Sequence, residues 1–190
     1  MRIVAGRYAG RELTSPAGAV RPTSEPIRDA ILNLVVNDVR DARVLDLFAG
    51  TGALGLEAIS RGAAKADFVE NGPAALHALK ANVAALRLRE RTRIFKRDAI
   101  PFVDALPEDA YDIAFADPPY GSRKADRVVE AWKAVRYARL LIVEHAGDHA
   151  LPPGGRAHRL GETSVTIFDA SKPRAGARRT GRRGHPPAVP

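Results

Sequence analysis

The chain has 190 residues, 27% charged and 45% apolar, enough for one domain with a sizeable core. It has no cysteine, which excludes disulfides and thiolate metal sites and lends secretion no support. The net charge of +8 is concentrated at the ends: residues 1–40 hold six basic and four acidic groups, 41–171 eighteen of each, and 172–190 six basic and none acidic. A neutral body with basic extremities suits a polyanionic partner. No apolar run approaches the roughly 20 residues of a membrane helix. Met1 to Gly10 carries Arg2 and Arg7 without an apolar signal stretch, so a cytoplasmic protein with no membrane partner is expected.

In chain order, Ile3-Val4 and Arg11-Glu12-Leu13 are separated by Gly6 and Gly10, which predicts a small β-hairpin arm within 1–20. Thr23-Ser24-Glu25-Pro26 then caps a helix with Ile27, Ala30, Ile31, Leu34 and Val35 at helical spacing. After Asp41, strands near 43–48, 66–70, 92–96, 111–117 and 139–144 alternate with helices near 53–61, 73–87, 99–106 and 124–136. A last β-branched run covers 164–168. That order predicts an α/β fold, a parallel sheet with right-handed crossovers. The main domain is expected over 21–171. Lys172 to Pro187 has no large apolar side chain, so 172–190 is expected to be a disordered basic tail. Trp132, at helical spacing with Val128, Val129 and Val135, reads as core-facing. His145 and His149 lack a third ligand motif, so no metal site is expected and His145 reads as a hydrogen-bonded strand-edge residue. Arg87, Arg89, Arg91, Arg93, Lys96 and Arg97 form either a solvated edge or a phosphate-facing patch.

Two motifs carry chemistry. Asp117-Pro118-Pro119-Tyr120 follows the buried-strand signal Tyr111–Ala116, and paired prolines force the backbone to turn there. The turn leaves a carboxylate, a proline carbonyl and an aromatic ring at a strand's carboxyl end, where open α/β sheets bind ligands. Two acceptors and a π-face suit a planar base with an exocyclic amino group. Upstream, the strand Arg43–Phe48 runs into Ala49-Gly50-Thr51-Gly52-Ala53-Leu54-Gly55 and then a helix. Glycines 50, 52 and 55 satisfy G-x-G-x-x-G, the strand-to-helix turn that brings a ligand against backbone amides. Carboxylates at 46, 70, 98 and 117 all fall at ends of successive strands, on one edge of the sheet. Glu70 is suited to ribose hydroxyls, Asp98 to an adenine amino group and Asp46 to loop support and a cationic methionine moiety. These features favour S-adenosylmethionine over a dinucleotide, although an oxidoreductase using the literal glycine motif stays a rival.

At this point the sequence resembles RsmD-type methyltransferases, bacterial enzymes that methylate a guanine N2 of 16S ribosomal RNA. The resemblance covers roughly residues 1–170 and rests on Met1-Arg-Ile-Val-Ala-Gly-Arg, Gly10-Arg-Glu-Leu, Arg21-Pro-Thr-Ser, the run from Asp46 to Ala58, and Asp117-Pro-Pro-Tyr, in that order. It implies a Rossmann-like methyltransferase fold with a mostly parallel seven-stranded sheet and S-adenosyl-L-methionine as cofactor. It further implies that Asp46, Phe48, Ala49, Gly50, Thr51, Gly52 and Gly55 hold the methionine part, Glu70 the ribose, and Asp98 with Ala99 the adenine. Asp117, Pro118, Pro119 and Tyr120 would hold the target base. Arg2, Arg7, Arg11, Arg21, Thr23, Ser24 and Arg28 become candidate RNA contacts. The implied partner is 16S rRNA or the assembling small subunit, and the protein is expected to be a monomer. The chain departs from the pattern at Val135–Arg139, which lacks a Pro-Gly-Gly turn, and at Leu160, where Tyr is usual. DNA adenine-N6 methylation fits the same tetrapeptide, but no separate target-recognition domain is visible.

Overall fold

A computed structural model describes residues 1–16 and 24–171; Arg21, Thr23 and the expected tail over 172–190 lie outside the described residues. Two helices, α1 (Glu25–Leu34) and the short α2 (Val36–Val39), precede the sheet. β1 (Arg43–Leu47), α3 (Ala53–Ser60), β2 (Lys65–Glu70), α4 (Pro73–Ala85) and β3 (Thr92–Lys96) form the first half. α5 (Ala99–Asp104), β4 (Tyr111–Ala116), α6 (Lys124–Val135), β5 (Ala138–Ala146), β6 (Arg156–Leu160) and β7 (Thr163–Asp169) complete the chain. The seven strands lie in the order β3-β2-β1-β4-β5-β7-β6. β3, β2, β1, β4 and β5 run parallel, while β7 pairs antiparallel with both β5 and β6. This is the expected Rossmann-like methyltransferase fold.

Central strands are apolar on both faces because helices cover both. Val44 packs with Leu56, Ile59, Phe68 and Phe115 on one side, and Leu45 and Leu47 with Val69, Val128 and Trp132 on the other. Trp132 is core-facing as expected, its indole N–H donating to the Ala138 carbonyl at 2.7 Å. The strand order reverses between β1 and β4, the kind of switch point at which open α/β sheets bind ligands beyond the carboxyl ends of the strands.

β6 was not predicted from periodicity. Its Arg156–Leu160 sequence has no fully buried residue and sits at the sheet edge, so it lacks an apolar face to read. The amino-terminal hairpin is present, with Ile3 N–H bonded to Arg11 O at 2.9 Å and Leu13 N–H to Met1 O at 2.8 Å. It is docked on α3 rather than projecting. The buried Glu57 carboxylate accepts from the Val4 and Ala5 amides, each at 2.8 Å. Gly6, at φ +82°, lies so close to Ser60 that an added Cβ would meet the Ser60 carbonyl oxygen at 2.0 Å.

Candidate active site

The glycine loop is built by contact as much as by turn geometry. Gly50 and Gly52 take positive φ, +55° and +79°, which glycine adopts without steric cost. A Cβ on Gly55 would meet the Phe68 ring at 2.5 Å, so the third glycine is what lets α3 approach β2. Asp46, 3% exposed, accepts from the Gly55 amide at 2.9 Å and ties the end of β1 to the first turn of α3. At the end of β2, Glu70 accepts from Gly50 N–H at 2.8 Å, Asn71 N–H at 2.8 Å and Gly72 N–H at 2.6 Å. Asp98 is the N-cap of α5, accepting from Ile100 N–H at 3.0 Å. Phe48, Val69, Glu70, Asn71, Asp98 and Ala99 line one shallow depression. Of the residues expected to hold the donor, Phe48, Glu70, Asp98 and Ala99 share that depression, while Gly50 is tied to Glu70 and Gly55 to Asp46 by backbone bonds, so three of the carboxylates organise the loops on which they sit.

Burial pushes the Asp46 carboxyl up to about 8, with the negative charges of Asp117 and Glu70 adding to the effect against the lowering bond from Gly55. The charges of Asp117 and Glu70 near Asp46 disfavour additional negative charge there. A cationic ligand relieves the repulsion, whereas a diphosphate increases it. Cationic side chains stand at the Asp98 end of the depression, where Arg97 and Lys124 contribute to its lining. Lys124 Nζ lies 3.7 Å from Asp98 and 5.6 Å from the centre of the Phe48 ring.

Across the switch point, Asp117 is partly buried, Pro118 buried and Pro119 exposed. Tyr120 is 49% exposed, and its hydroxyl contacts Thr163 at 2.8 Å and Glu144 at 3.3 Å. Pro118, Pro119 and Tyr120 form one wall of a cleft of about 230 Å³, facing Glu144, His145, Asp148 and His149. His145 Nε2 contacts the Thr166 hydroxyl at 2.8 Å, and burial lowers its pKa. His149 faces Asp126 at 3.1 Å. Among the described residues no group of three or more His, Cys, Asp or Glu could hold a metal ion.

The candidate RNA contacts divide. Arg2, Arg11 and Ser24 are exposed. Arg7 is exposed too, but its amide bonds to Ser60 at the last residue of α3, about 12 Å by helical rise from the glycine loop. Arg28 requires correction. It is fully buried, 3.5 Å from Glu57, and donates to the Arg2 carbonyl, so it anchors the hairpin and is not available to RNA. Its spacing from Ile31, Leu32 and Val35 is the signal for that buried face. Within the basic cluster, Arg93 pairs with the buried Asp67 and Arg91 donates to the Ala63 and Ala64 carbonyls, leaving Arg87, Arg89, Lys96 and Arg97 exposed.

Sequence reasoning missed Lys124, Glu144, Thr163 and Asn82. Asn82 accepts from Thr14 N–H at 2.7 Å and donates to the Thr14 and Thr51 carbonyls, each at 3.0 Å, joining the hairpin to the glycine loop. Only Lys124 had a local signal, a cation opening the helix just after the proline turn.

Comparison with known proteins identifies the family. The family model described as "Conserved hypothetical protein 95" matches residues 1–167. Ribosomal RNA small subunit methyltransferase D of Escherichia coli K12 is 38% identical over 158 residues, covering 80% of this chain and 78% of that protein. YlbH of Bacillus subtilis, a candidate rRNA methyltransferase, is 31% identical over 180 residues, covering 88% and 98%. The solved structure of the Escherichia coli methyltransferase candidate yhhF superposes with a TM-score of 0.76 at 31% identity, covering 89% of this chain and 97% of that one. A glycine loop beside a carboxylate-lined crevice, a proline turn facing it, and relatives that extend over most of both chains make this protein a member of the RsmD methyltransferase family.

Proposed function

We propose that the protein transfers a methyl group from S-adenosyl-L-methionine to the exocyclic N2 of a guanine in 16S rRNA of the small ribosomal subunit. Family membership supports rRNA methylation as the activity. The observation that carries the choice of donor is the gathering of carboxylates at the strand ends: Asp46 bonded to the Gly55 amide, Glu70 to the Gly50 amide, and Asp117 with Glu70 close enough to Asp46 to push its carboxyl upward. That donor set fits a cation and opposes the diphosphate of a nicotinamide dinucleotide. When bound, the sulfonium supplies a methyl group already activated for transfer, so the protein's task is positioning and exclusion of water.

In this reading Asp46 and the loop amides hold the methionine part and Phe48 packs against the adenosine. Asp98 and Ala99 take the adenine edge. Glu70 already accepts three amide bonds, and a carboxylate has about four lone-pair sites, so one ribose hydroxyl fits without displacing an amide. On the target side, the Asp117 carboxylate and the Pro118 carbonyl each accept one N–H of the guanine amino group. The amino lone pair is delocalised into the ring, and two such bonds favour a pyramidal nitrogen with its lone pair aimed at the methyl carbon. As the N–C bond forms and the donor's S–C bond breaks, one N–H proton passes to Asp117 or water. Tyr120 stacks on a base drawn from its neighbours, a step that costs a few kcal/mol in a duplex and less in a loop. Exposed Arg2, Arg11 and Ser24, together with Arg21, Thr23 and the six-cation tail, are proposed to meet RNA phosphates.

Labelled methyl transfer to small-subunit RNA or particles, followed by mapping of the product, tests the reading. Modification should appear as N2-methylguanine and vanish when the target guanine is replaced by inosine, which lacks the amino group. An N6-methyladenine product, or binding of a nicotinamide dinucleotide in place of S-adenosylmethionine, would overturn it.

A further inference from the structure

Tyr120 sits the wrong way round for a surface tyrosine. Tyrosine at a surface ordinarily packs its ring and leaves the hydroxyl in water. Here the residue as a whole is 49% exposed, yet its hydroxyl contacts Thr163 Oγ1 and Glu144 Oε1, whose residues are each only 5% exposed. The polar tip is anchored inside and the ring is left at the mouth of the crevice.

The direction of each bond follows from donor and acceptor chemistry. The Tyr120 O–H donates to Glu144 Oε1 at 3.3 Å. The phenolic oxygen then accepts from the Thr163 O–H at 2.8 Å. Two bonds of opposite sense fix the position of the oxygen, and with it the ring axis. The anchors come from neighbouring strands. Ala146 is opposite Thr163 in the β5–β7 pair, and Glu144 lies two residues before Ala146 on the same face, diagonal to Thr163. Pairing of β6 with the other side of β7, through Leu160 and Thr163, secures the second anchor. Within its own turn Tyr120 is followed by Gly121 at φ +72°, and the Ser122 hydroxyl bonds to Pro119 O at 2.6 Å. None of these turn contacts orients the ring.

We propose that Thr163 and Glu144 are positioning residues that clamp the Tyr120 hydroxyl and so hold its ring as a fixed platform for the target base. The clamp rests on the guanine-methylation reading for its purpose, though not for its geometry. It acts through Tyr120 and touches neither donor nor reacting amine. A platform free to swing would let the amino nitrogen leave its line with the methyl carbon, and small displacements at that distance cost rate steeply.

The test uses Tyr120→Phe, which removes the hydroxyl from an exposed ring, and Thr163→Val, which keeps shape and loses the donor. Thr163→Ser is the conservative control. Each of the first two should lower the single-turnover rate at saturating RNA by about tenfold, with donor affinity within about twofold of wild type. Because both break one clamp, the double variant should be no slower than either single one. Thr163→Ser should recover most of the rate. Ring dynamics of isotope-labelled tyrosine, measured by NMR without RNA, supply a readout independent of activity: Thr163→Val should mobilise the Tyr120 ring. An unchanged rate or an equally ordered ring in Thr163→Val overturns the clamp, as do losses that multiply in the double variant. A wild-type protein that orders the ring but methylates no guanine would overturn the functional reading and leave the clamp standing.

Discussion

The two sides of the crevice are held by different kinds of bond. On the side proposed for the donor the carboxylates are engaged by backbone: Asp46 by Gly55, Glu70 by Gly50, Asn71 and Gly72, and Asp98 by Ile100. On the target side the aromatic wall is held by side chains, with Tyr120 fixed by Glu144 and Thr163. On the proposed reading each of these carboxylates has two duties, so removing one should disturb both the donor and the loop it organises. A target-side residue can be altered while the loop stays formed. The contrast predicts that target-side substitutions separate turnover from donor affinity and donor-side substitutions do not.

The largest effect should come from the target side. Asp117→Ala is expected to lower turnover by about 10²-fold or more, in the range of a lost positioned acid–base group. Donor affinity, measured by calorimetry, should stay within a few-fold of wild type. A variant keeping a tenth of the wild-type rate removes Asp117 from its proposed role. One that loses donor binding and turnover together erases the distinction between the two sides.

Glu70→Ala should do what Asp117→Ala does not. Losing one hydrogen bond from a ribose hydroxyl to a charged carboxylate weakens donor binding by about 1.5–3 kcal/mol. Three backbone amides also lose their acceptor, so thermal unfolding without ligand should shift downward as well. Undiminished donor affinity in the folded variant would refute the ribose assignment. A drop in affinity with no change in unfolding would mean the amide bonds are dispensable, and the two-duty picture fails.

The same contrast decides what could be read from the chain. The positions of Asp46, Gly50, Gly52, Gly55, Glu70 and Asp98 in the fold were legible because each is set locally, by a strand end, a glycine spacing or a helix start. Parallel alternation of strand and helix then brings those ends to one edge without further information. Thr163 and Glu144 were not legible, since their meeting with Tyr120 depends on β7 inserting antiparallel between β5 and β6. That insertion depends on an edge strand, Arg156–Leu160, with no apolar face. Arg28 was misread for a related reason. Its charge suggests a surface, and the Glu57 carboxylate that neutralises it is 29 residues away. The helical spacing of Arg28 with Ile31 and Leu32 marked the buried face, but spacing alone does not supply the partner.

The smallest effect, and the finest probe of the donor side, is the pH dependence carried by Asp46. Its carboxyl is raised to about 8, chiefly by burial and then by the charges of Asp117 and Glu70. Below that pH the ligand-free protein holds the Asp46 proton. A cationic donor favours the carboxylate form, so binding must release that proton wherever it is still held. Affinity is therefore expected to rise with pH, by up to about tenfold per unit well below 8, and to level off above it. Titration calorimetry in buffers of different ionisation enthalpy would report proton release approaching one at pH 6 and vanishing near pH 9. Asp46→Asn removes the titrating group, so its residual binding should lose this slope while remaining weaker than wild type at high pH. A wild-type profile flat between pH 6 and 9 would mean that Asp46 is ionised throughout, with the Gly55 amide outweighing burial. Asp46 would then add its own negative charge to those of Glu70 and Asp117, and the proton release assigned to donor binding would be refuted.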